Sequence, residues 1–171
     1  MIYNFIAYSP TEPKNLGNTY NQYMELLPND DDWACFLDHD AVWTTNNWYV
    51  QLQKVVEDEK NKEYGLYSVL CSKIGNSHQM LQRSAGNHDY SYHRKLGEKQ
   101  EKEHFAEVTE AIRQISGVVM LTQKKIWKEV GGFLNRGFFG RDTSYHGLIT
   151  QAGYKVGIIQ GVYVYHWYRG L

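Results

Sequence analysis

The chain has 171 residues, of which 42% are hydrophobic, and this predicts one domain with a single core. Its 18 basic and 19 acidic residues leave a formal charge of −1, which excludes a general field for holding nucleic acid or an anionic membrane. No apolar run approaches the ~20 residues that cross a bilayer, and the chain opens on a strand-like IYNFIAY without a basic leader. We therefore expect a soluble, cytoplasmic protein with no transmembrane segment.

Strand and helix signals alternate through the first half of the chain. Residues 2–8 are almost continuously apolar, as in a buried parallel strand, and the loop that follows should face a ligand. Residues 18–27 and 48–56 place apolar side chains on one helical face. Short apolar runs at residues 33–37 and 65–71 predict two more strands.

The second half begins with a polar segment, residues 73–97, which lacks any period and predicts a long flexible loop. A helix over residues 98–114 should follow, with Phe105, Val108 and Ile112 facing inward. We further predict strands at 117–121, 155–160 and 162–167 and helices at 124–130 and 142–153. The alternation indicates an α/β protein whose mostly parallel sheet has helices on both faces.

The tripeptide Asp38-His39-Asp40 directly follows the predicted strand 33–37. Residues two apart in an extended segment point the same way, so both carboxylates can face one side of the strand end. Paired carboxylates bind hard divalent cations, and such a cation can neutralise a diphosphate. A solvated acidic turn is the alternative interpretation of these three residues.

Three runs of sequence, in order along the chain, resemble one family. The runs are LDHDAVWTTNNWY, SGVVMLTQKKIWKEVGGFLNRGFFGRD and TQAGYKVGIIQGVYVYHWY, and NLGNTYNQY adds to them. They resemble the inverting glycosyltransferases of family 2 and their relatives with the GT-A fold. The resemblance covers most of residues 1–60 and 115–168. It implies a Rossmann-like GT-A domain spanning residues 1–171 and transfer of a sugar from a nucleotide-sugar donor to a carbohydrate or other hydroxyl acceptor.

The resemblance assigns metal and diphosphate binding to Asp38 and Asp40, and His166 would complete the protein's share of the coordination. Imidazole beside carboxylate favours Mn²⁺ over Mg²⁺. The donor implied is a UDP-sugar. A packed core histidine is the alternative for His166, which lies in an apolar run between Tyr165 and Trp167.

Asp142 matches the family's catalytic base, which takes a proton from the acceptor hydroxyl. The alternative is an N-cap for the helix that follows. The family usually has Glu before this Asp, whereas Arg141 occupies that position here.

Further donor contacts are implied near the chain ends. Ser9, Pro10, Asn15 and Asn21 fall where the family binds the nucleoside, and Arg169 could reach the diphosphate. Turn and cap roles, and a frayed terminus for Arg169, are the alternatives. An acidic strand-loop segment that the family has after its first strand is missing here. The His78, His88, His93 and Asp89 group lacks tight ligand spacing and is interpreted only as part of an acceptor-side loop.

Two other functional classes fit the same features. One is a catalytically silent domain that binds nucleotide-sugar or glycan, favoured by Arg141 and by the missing segment. The other is a retaining glycosyltransferase or a nucleotidyltransferase on a similar scaffold. A nucleotidyltransferase is disfavoured, because no glycine-rich, basic phosphate loop follows the first strand.

Overall fold

The computed structural model describes residues 1–8, 15–81, 84, 86–134 and 141–167. Within these ranges the chain forms seven strands and five α-helices. The strands are β1 (Ile2–Phe5), β2 (Trp33–Leu37), β3 (Ala41–Trp43), β4 (Tyr64–Cys71), β5 (Val108–Glu110), β6 (Val119–Gln123) and β7 (Lys155–His166). The helices are α1 (Leu16–Glu25), α2 (Trp48–Glu57), α3 (Tyr90–His104), α4 (Lys124–Glu129) and α5 (Arg141–Gln151). None of the helices in these ranges is long and apolar enough to cross a membrane.

The strands form one mixed sheet in the order β1-β2-β6-β4-β7-β3, with β5 also paired to β7. The α/β class is confirmed, but a mostly parallel sheet was wrong. Only β1 with β2 and β4 with β7 pair in parallel, and the other pairs are antiparallel. Apolar strand patterns do not encode direction. The short connection of residues 38–40 leads from β2 to β3, which pairs not with β2 but with β7, in the antiparallel sense.

Alternate side chains of the central strands enter two separate cores, one on each face of the sheet. Cys35 and Leu37 of β2 pack with the α2 residue Leu52, whereas Phe36 packs with Tyr20 of α1. Helices α4 and α5 cover the same face as α1, through Trp127, Ile149 and their neighbours. Helices therefore cover both faces, as the strand pattern predicts.

The segment predicted as a long loop is partly helical. Helix α3 begins at Tyr90, where the Asp89 carboxylate accepts a hydrogen bond from the Ser91 N–H at 2.8 Å, and it ends at His104. The helix predicted over residues 98–114 is correct only to His104; β5 lies within the remainder of that range, and Ile112 is 84% exposed and does not face inward. The inner face of α3 is made partly of Gly97 and buried His93, so it lacks the apolar period that reveals most helices.

The two predicted closing strands are one strand, β7. Its register against β4 shifts where Val69 pairs with Ile159 but Leu70 pairs with Tyr163. The extra residues form an irregularity around Gly161, whose carbonyl accepts a hydrogen bond from the Gln51 Nε2 at 2.9 Å. The predicted break therefore marks a bulge and not the end of a strand. By contrast, β1 is a short, half-buried edge strand and not a buried one.

The Gly131-Gly132-Phe133 loop is fastened to helix α1 by the Asn21 side chain. The Asn21 Oδ1 accepts hydrogen bonds from the Trp127 Nε1 and the Phe133 N–H, both at 2.8 Å, and its Nδ2 donates to the Phe133 carbonyl at 2.9 Å. Gly132 has a φ of 79°, and a Cβ there would lie 2.9 Å from the Asn21 Oδ1. Glycine is therefore required at residue 132 by both backbone and packing.

Replacing Gly132 with Ala should destabilise the protein more than replacing Gly131. Both residues have positive φ, but a Cβ at Gly131 meets nothing within 4 Å among the described residues. Gly131→Ala should therefore cost about 1–2 kcal/mol from backbone strain alone, and Gly132→Ala roughly another 1–2 kcal/mol from crowding. Urea unfolding of both variants measures the difference. Equal losses would mean that the Asn21 contact does not constrain the loop.

Candidate metal centre

Asp38 and Asp40 lie in a tight turn between β2 and β3, not in an extended segment. The Ala41 N–H donates to the Asp38 carbonyl at 3.1 Å, which closes the turn. The Asp38 N–H donates to the Val118 carbonyl at 3.0 Å, and the Trp167 N–H donates to the Asp40 carbonyl at 2.9 Å. The backbone of this acidic turn is thus held by the residue before β6 on one side and by the end of β7 on the other.

His166 is the last residue of β7 and pairs with Ala41 of β3, next to Asp40. Its Nδ1 lies 2.8 Å from the Lys73 carbonyl oxygen. A carbonyl can only accept, so Nδ1 carries a proton and donates it. Its Nε2 then faces the Asp40 Oδ1 at 3.1 Å. A backbone carbonyl often orients the ring of a metal-binding histidine in the same way, through the nitrogen that does not bind the metal.

The side chains of Asp38, Asp40 and His166 converge on one point. Each offers a ligand atom, and these atoms lie within 4.8 Å of one another. His166 is buried, while the two carboxylates are half-buried. Two carboxylates and one imidazole suit a divalent cation such as Mn²⁺ or Mg²⁺. Elsewhere in the described ranges, no other three Asp, Glu, His or Cys side chains converge in this way.

The electrostatics of the three side chains favour a cation between them. Burial raises the pKa of Asp38 to about 6. The charge of His166 opposes this rise, whereas the carboxylates of Asp40 and Asp142 add to it. Without a cation, the ionised Asp38 is therefore destabilising above pH 6.

Asp142 lies beside this centre, and both of its carboxylate oxygens accept backbone hydrogen bonds. The Gly117 N–H donates to Oδ2 at 2.8 Å and the Thr143 N–H donates to Oδ1 at 2.9 Å. Helix α5 begins at Arg141, so Asp142 lies in its first turn and is not the N-cap. Gly117 binds the Asp142 carboxylate and the next residue, Val118, binds the Asp38 backbone N–H, so consecutive residues connect Asp142 to the acidic turn.

The loop that holds Asp142 is itself fixed by a buried amide that the sequence did not single out. The Gln79 Oε1 accepts from the Ser116 N–H at 2.6 Å, and the Gln79 Nε2 donates to the Ser68 Oγ at 2.7 Å. Gln79 is fully buried. No sequence pattern marks a single Gln in a polar segment for this role. The Lys73 carbonyl that orients His166 is equally hard to predict, because every residue type has a backbone carbonyl.

The residues proposed for the nucleoside have other partners in the structure. Asn15 caps helix α1, with its Oδ1 accepting from the Asn18 N–H at 3.0 Å, and the Asn21 amide binds the Gly131-Gly132-Phe133 loop. Ser9, Pro10 and Arg169 lie outside the described residues. The structure therefore brings together the predicted metal ligands and Asp142, and gives Asn21 a structural role.

The histidines of the polar segment do not form a second metal site among the described residues. His93 is buried, with its Nδ1 2.7 Å from the Tyr163 hydroxyl and its Nε2 2.8 Å from the Asn87 carbonyl. His88 lies 3.1 Å from the Tyr165 hydroxyl. These side chains join α3 and the segment before it to β7.

No model of a known protein family matches the chain, and a search of curated proteins also finds no match.

Replacing Asp38 with Asn should stabilise the metal-free protein at pH 8 but not at pH 4. The folded-state pKa of about 6 lies above the usual 3.8, so the stability associated with this group is present at low pH and lost as the pH rises through 6. The neutral amide would remove that loss. The free energy of unfolding at pH 8 should therefore rise by about 1–2 kcal/mol, after allowance for the partial exposure of Asp38. Thermal unfolding with a chelator at both pH values measures it. An equal change at pH 4 and pH 8 would contradict the electrostatic explanation.

Mn²⁺ should raise the melting temperature of the wild-type protein at pH 7.5, because a ligand that binds only the folded state stabilises it. At about 100 times its Kd the metal should add ~2.7 kcal/mol. Asp40→Asn should abolish the shift. Asp31→Asn is the matched control, because Asp31 is exposed and precedes β2 at the end opposite Asp38. A shift that survives in Asp40→Asn would place the metal elsewhere.

Proposed function

We propose that this chain is a metal-dependent glycosyltransferase of the GT-A type. It transfers a sugar from a nucleotide-sugar donor, with a UDP-sugar favoured, to a hydroxyl group of an acceptor. The observation that carries the proposal is the convergence of three distant segments at one edge of the sheet. These are the acidic turn at residues 38–40, the start of α5 at Asp142 and the end of β7 at His166.

The ligand set supports binding of a nucleoside diphosphate. Asp38, Asp40 and His166 would hold Mn²⁺ or Mg²⁺ from one side, with the open side left for phosphate oxygens. A bound divalent cation neutralises the charge that develops on the diphosphate leaving group. The formal charge of −1 offers no general attraction for anions, so a diphosphate has to be bound locally.

Asp142 is the residue we assign as the general base. In an inverting transfer the acceptor oxygen forms a bond to the anomeric carbon while the bond from that carbon to the diphosphate oxygen breaks. The proton of the acceptor hydroxyl goes to the Asp142 carboxylate, and the bonding electron pair leaves with the nucleoside diphosphate. The hydrogen bonds from Gly117 and Thr143 would orient the carboxylate, and each oxygen keeps a further lone pair for the acceptor.

One observation favours the silent nucleotide-sugar-binding alternative. Both oxygens of Asp142 accept backbone hydrogen bonds, so the carboxylate has a structural role in joining the start of α5 to Gly117 that requires no catalysis. A domain with such an aspartate would bind donor without transferring sugar. Turnover separates the two functions, because both would bind nucleotide.

UDP should bind the wild-type protein in calorimetric titration with Mn²⁺ present, and not with a chelator. GDP should bind more weakly, and Asp40→Asn should bind neither nucleotide, because the metal joins protein and diphosphate. Asp31→Asn serves again as the control. Tight UDP binding in the presence of chelator would contradict a metal-bridged donor site.

Asp142→Asn should retain UDP binding and lose turnover. With UDP-sugars screened for hydrolysis or transfer, loss of the base should lower the rate by about 10²–10⁴-fold. Released UDP measures the rate, and NMR of the product gives its anomeric configuration. Wild-type protein that binds UDP with metal but turns over no donor would favour the silent domain, and a retained configuration would identify a retaining enzyme.

A further inference from the structure

A cavity of about 320 Å³ opens beside Asp142. Three segments contribute to it: the loop after β4, the loop before β6 and the first turn of α5. Its described lining is Gly75, Asn76, Arg113, Gln114, Ile115, Ser116, Asp142 and Thr143. The Gly117 N–H donates to the Asp142 carboxylate. The next residue, Val118, accepts a hydrogen bond from the Asp38 N–H through its carbonyl. The cavity and the metal centre therefore lie at the same edge of the sheet, with Asp142 shared between them.

The described lining of this cavity has one cationic side chain, Arg113, and one anionic side chain, Asp142. The two side chains differ in the hydrogen bonds that they make with the rest of the protein. The Asp142 carboxylate accepts two backbone hydrogen bonds, whereas the exposed Arg113 guanidinium makes no hydrogen bond or ion pair with any residue that the structure describes. Among the described residues, nothing occupies the five N–H donors of this planar, permanently charged group.

The two histidines near Arg113 do not add positive charge. Burial lowers the pKa of His146, and it also lowers that of His78, where the charge of Arg113 contributes. Both rings are therefore neutral at pH 7. Meanwhile His146 accepts a hydrogen bond from the Ile115 N–H at 3.4 Å, which helps to hold the loop that carries Arg113.

We propose that this cavity binds the acceptor, and that the acceptor is a sugar bearing an anionic group, either a carboxylate or a phosphate, that pairs with Arg113. The inference rests on the proposed function and specifies its acceptor. A guanidinium binds carboxylate or phosphate through two parallel hydrogen bonds. With its anionic group on Arg113, such a sugar would present a hydroxyl to Asp142, the other charged residue of the lining.

The remaining lining is suited to the sugar itself. Asn76, Gln114, Ser116 and Thr143 supply amide and hydroxyl groups that exchange hydrogen bonds with sugar hydroxyls. A neutral sugar would make these contacts but could not form the two parallel ionic hydrogen bonds with Arg113. Because hydrogen bonds to charged groups are about twice as strong, the anionic sugar should bind roughly tenfold more tightly.

The test is an NMR titration of the full-length ¹⁵N-labelled protein saturated with UDP and diamagnetic Mg²⁺. The probes are glucuronate, glucose 6-phosphate and glucose. We expect at least one anionic sugar to shift the amide signals of Gly75, Ile115 and Ser116, and to saturate at roughly one tenth of the glucose concentration. Comparison of glucuronate with glucose 6-phosphate decides between carboxylate and phosphate.

Arg113→Gln should abolish the preference for anionic sugars and leave UDP binding unchanged. Lys102→Gln, which removes an exposed cation on α3, is the control and should keep the preference. Three results would overturn the inference: equal binding of glucose and both anionic sugars, no binding of either anionic sugar, or a preference that survives in Arg113→Gln. Failure of UDP to bind with metal, which is measured before any sugar is added, would instead refute the proposed function.

Discussion

The pairing of strand β7 with three neighbours is the constraint on which the candidate site depends. β7 runs beside β4 along its length, beside β5 near residues 157–159 and beside β3 at its end. The last register, Ala41 with His166, puts the imidazole next to Asp40. Side chains alternate between faces along a strand, so a slip of one residue would turn His166 to the other face and dismantle the ligand set. The irregularity near Gly161, held by Gln51, sets this register.

The rest of the sheet offsets the unfavourable electrostatics of the centre. Asp38 follows β2, whose five residues are all buried, and Asp40 precedes β3, which is anchored to β7. Each apolar side chain buried on the two faces contributes about 1.5–3 kcal/mol, whereas the ionised Asp38 opposes folding. Functional sites commonly hold groups that destabilise the unliganded protein. The acidic turn fits this pattern, because a divalent cation would remove the repulsion between its carboxylates.

Residues 117 and 118 join the two halves of the proposed active site. On one side, the Val118 carbonyl accepts a hydrogen bond from the backbone N–H of Asp38, one of the candidate metal ligands. On the other, Gly117 holds Asp142, while Gln79 fixes the neighbouring Ser116. The proposed donor and acceptor sites would therefore meet at the start of β6. Arg113 lies on the loop just before this strand, where a change of residue would alter the proposed acceptor site without disturbing the sheet.

Burial patterns and positive φ are encoded over a few residues, so local sequence determined much of the fold. It determined the α/β class, strand β2 with its acidic turn, helices α1, α2 and α4, and the glycines of the Gly131-Gly132-Phe133 loop. It missed α3, whose inner face is formed by Gly97 and His93, and it missed the three-residue strands β3 and β5. The meeting of His166 with Asp38 and Asp40 was expected only through a family resemblance. Tertiary structure alone decided strand direction, the bulge in β7, the structural use of Asn21 and the placement of Arg113 beside Asp142. Each of these depends on contacts between residues far apart in the chain, and no local pattern records them.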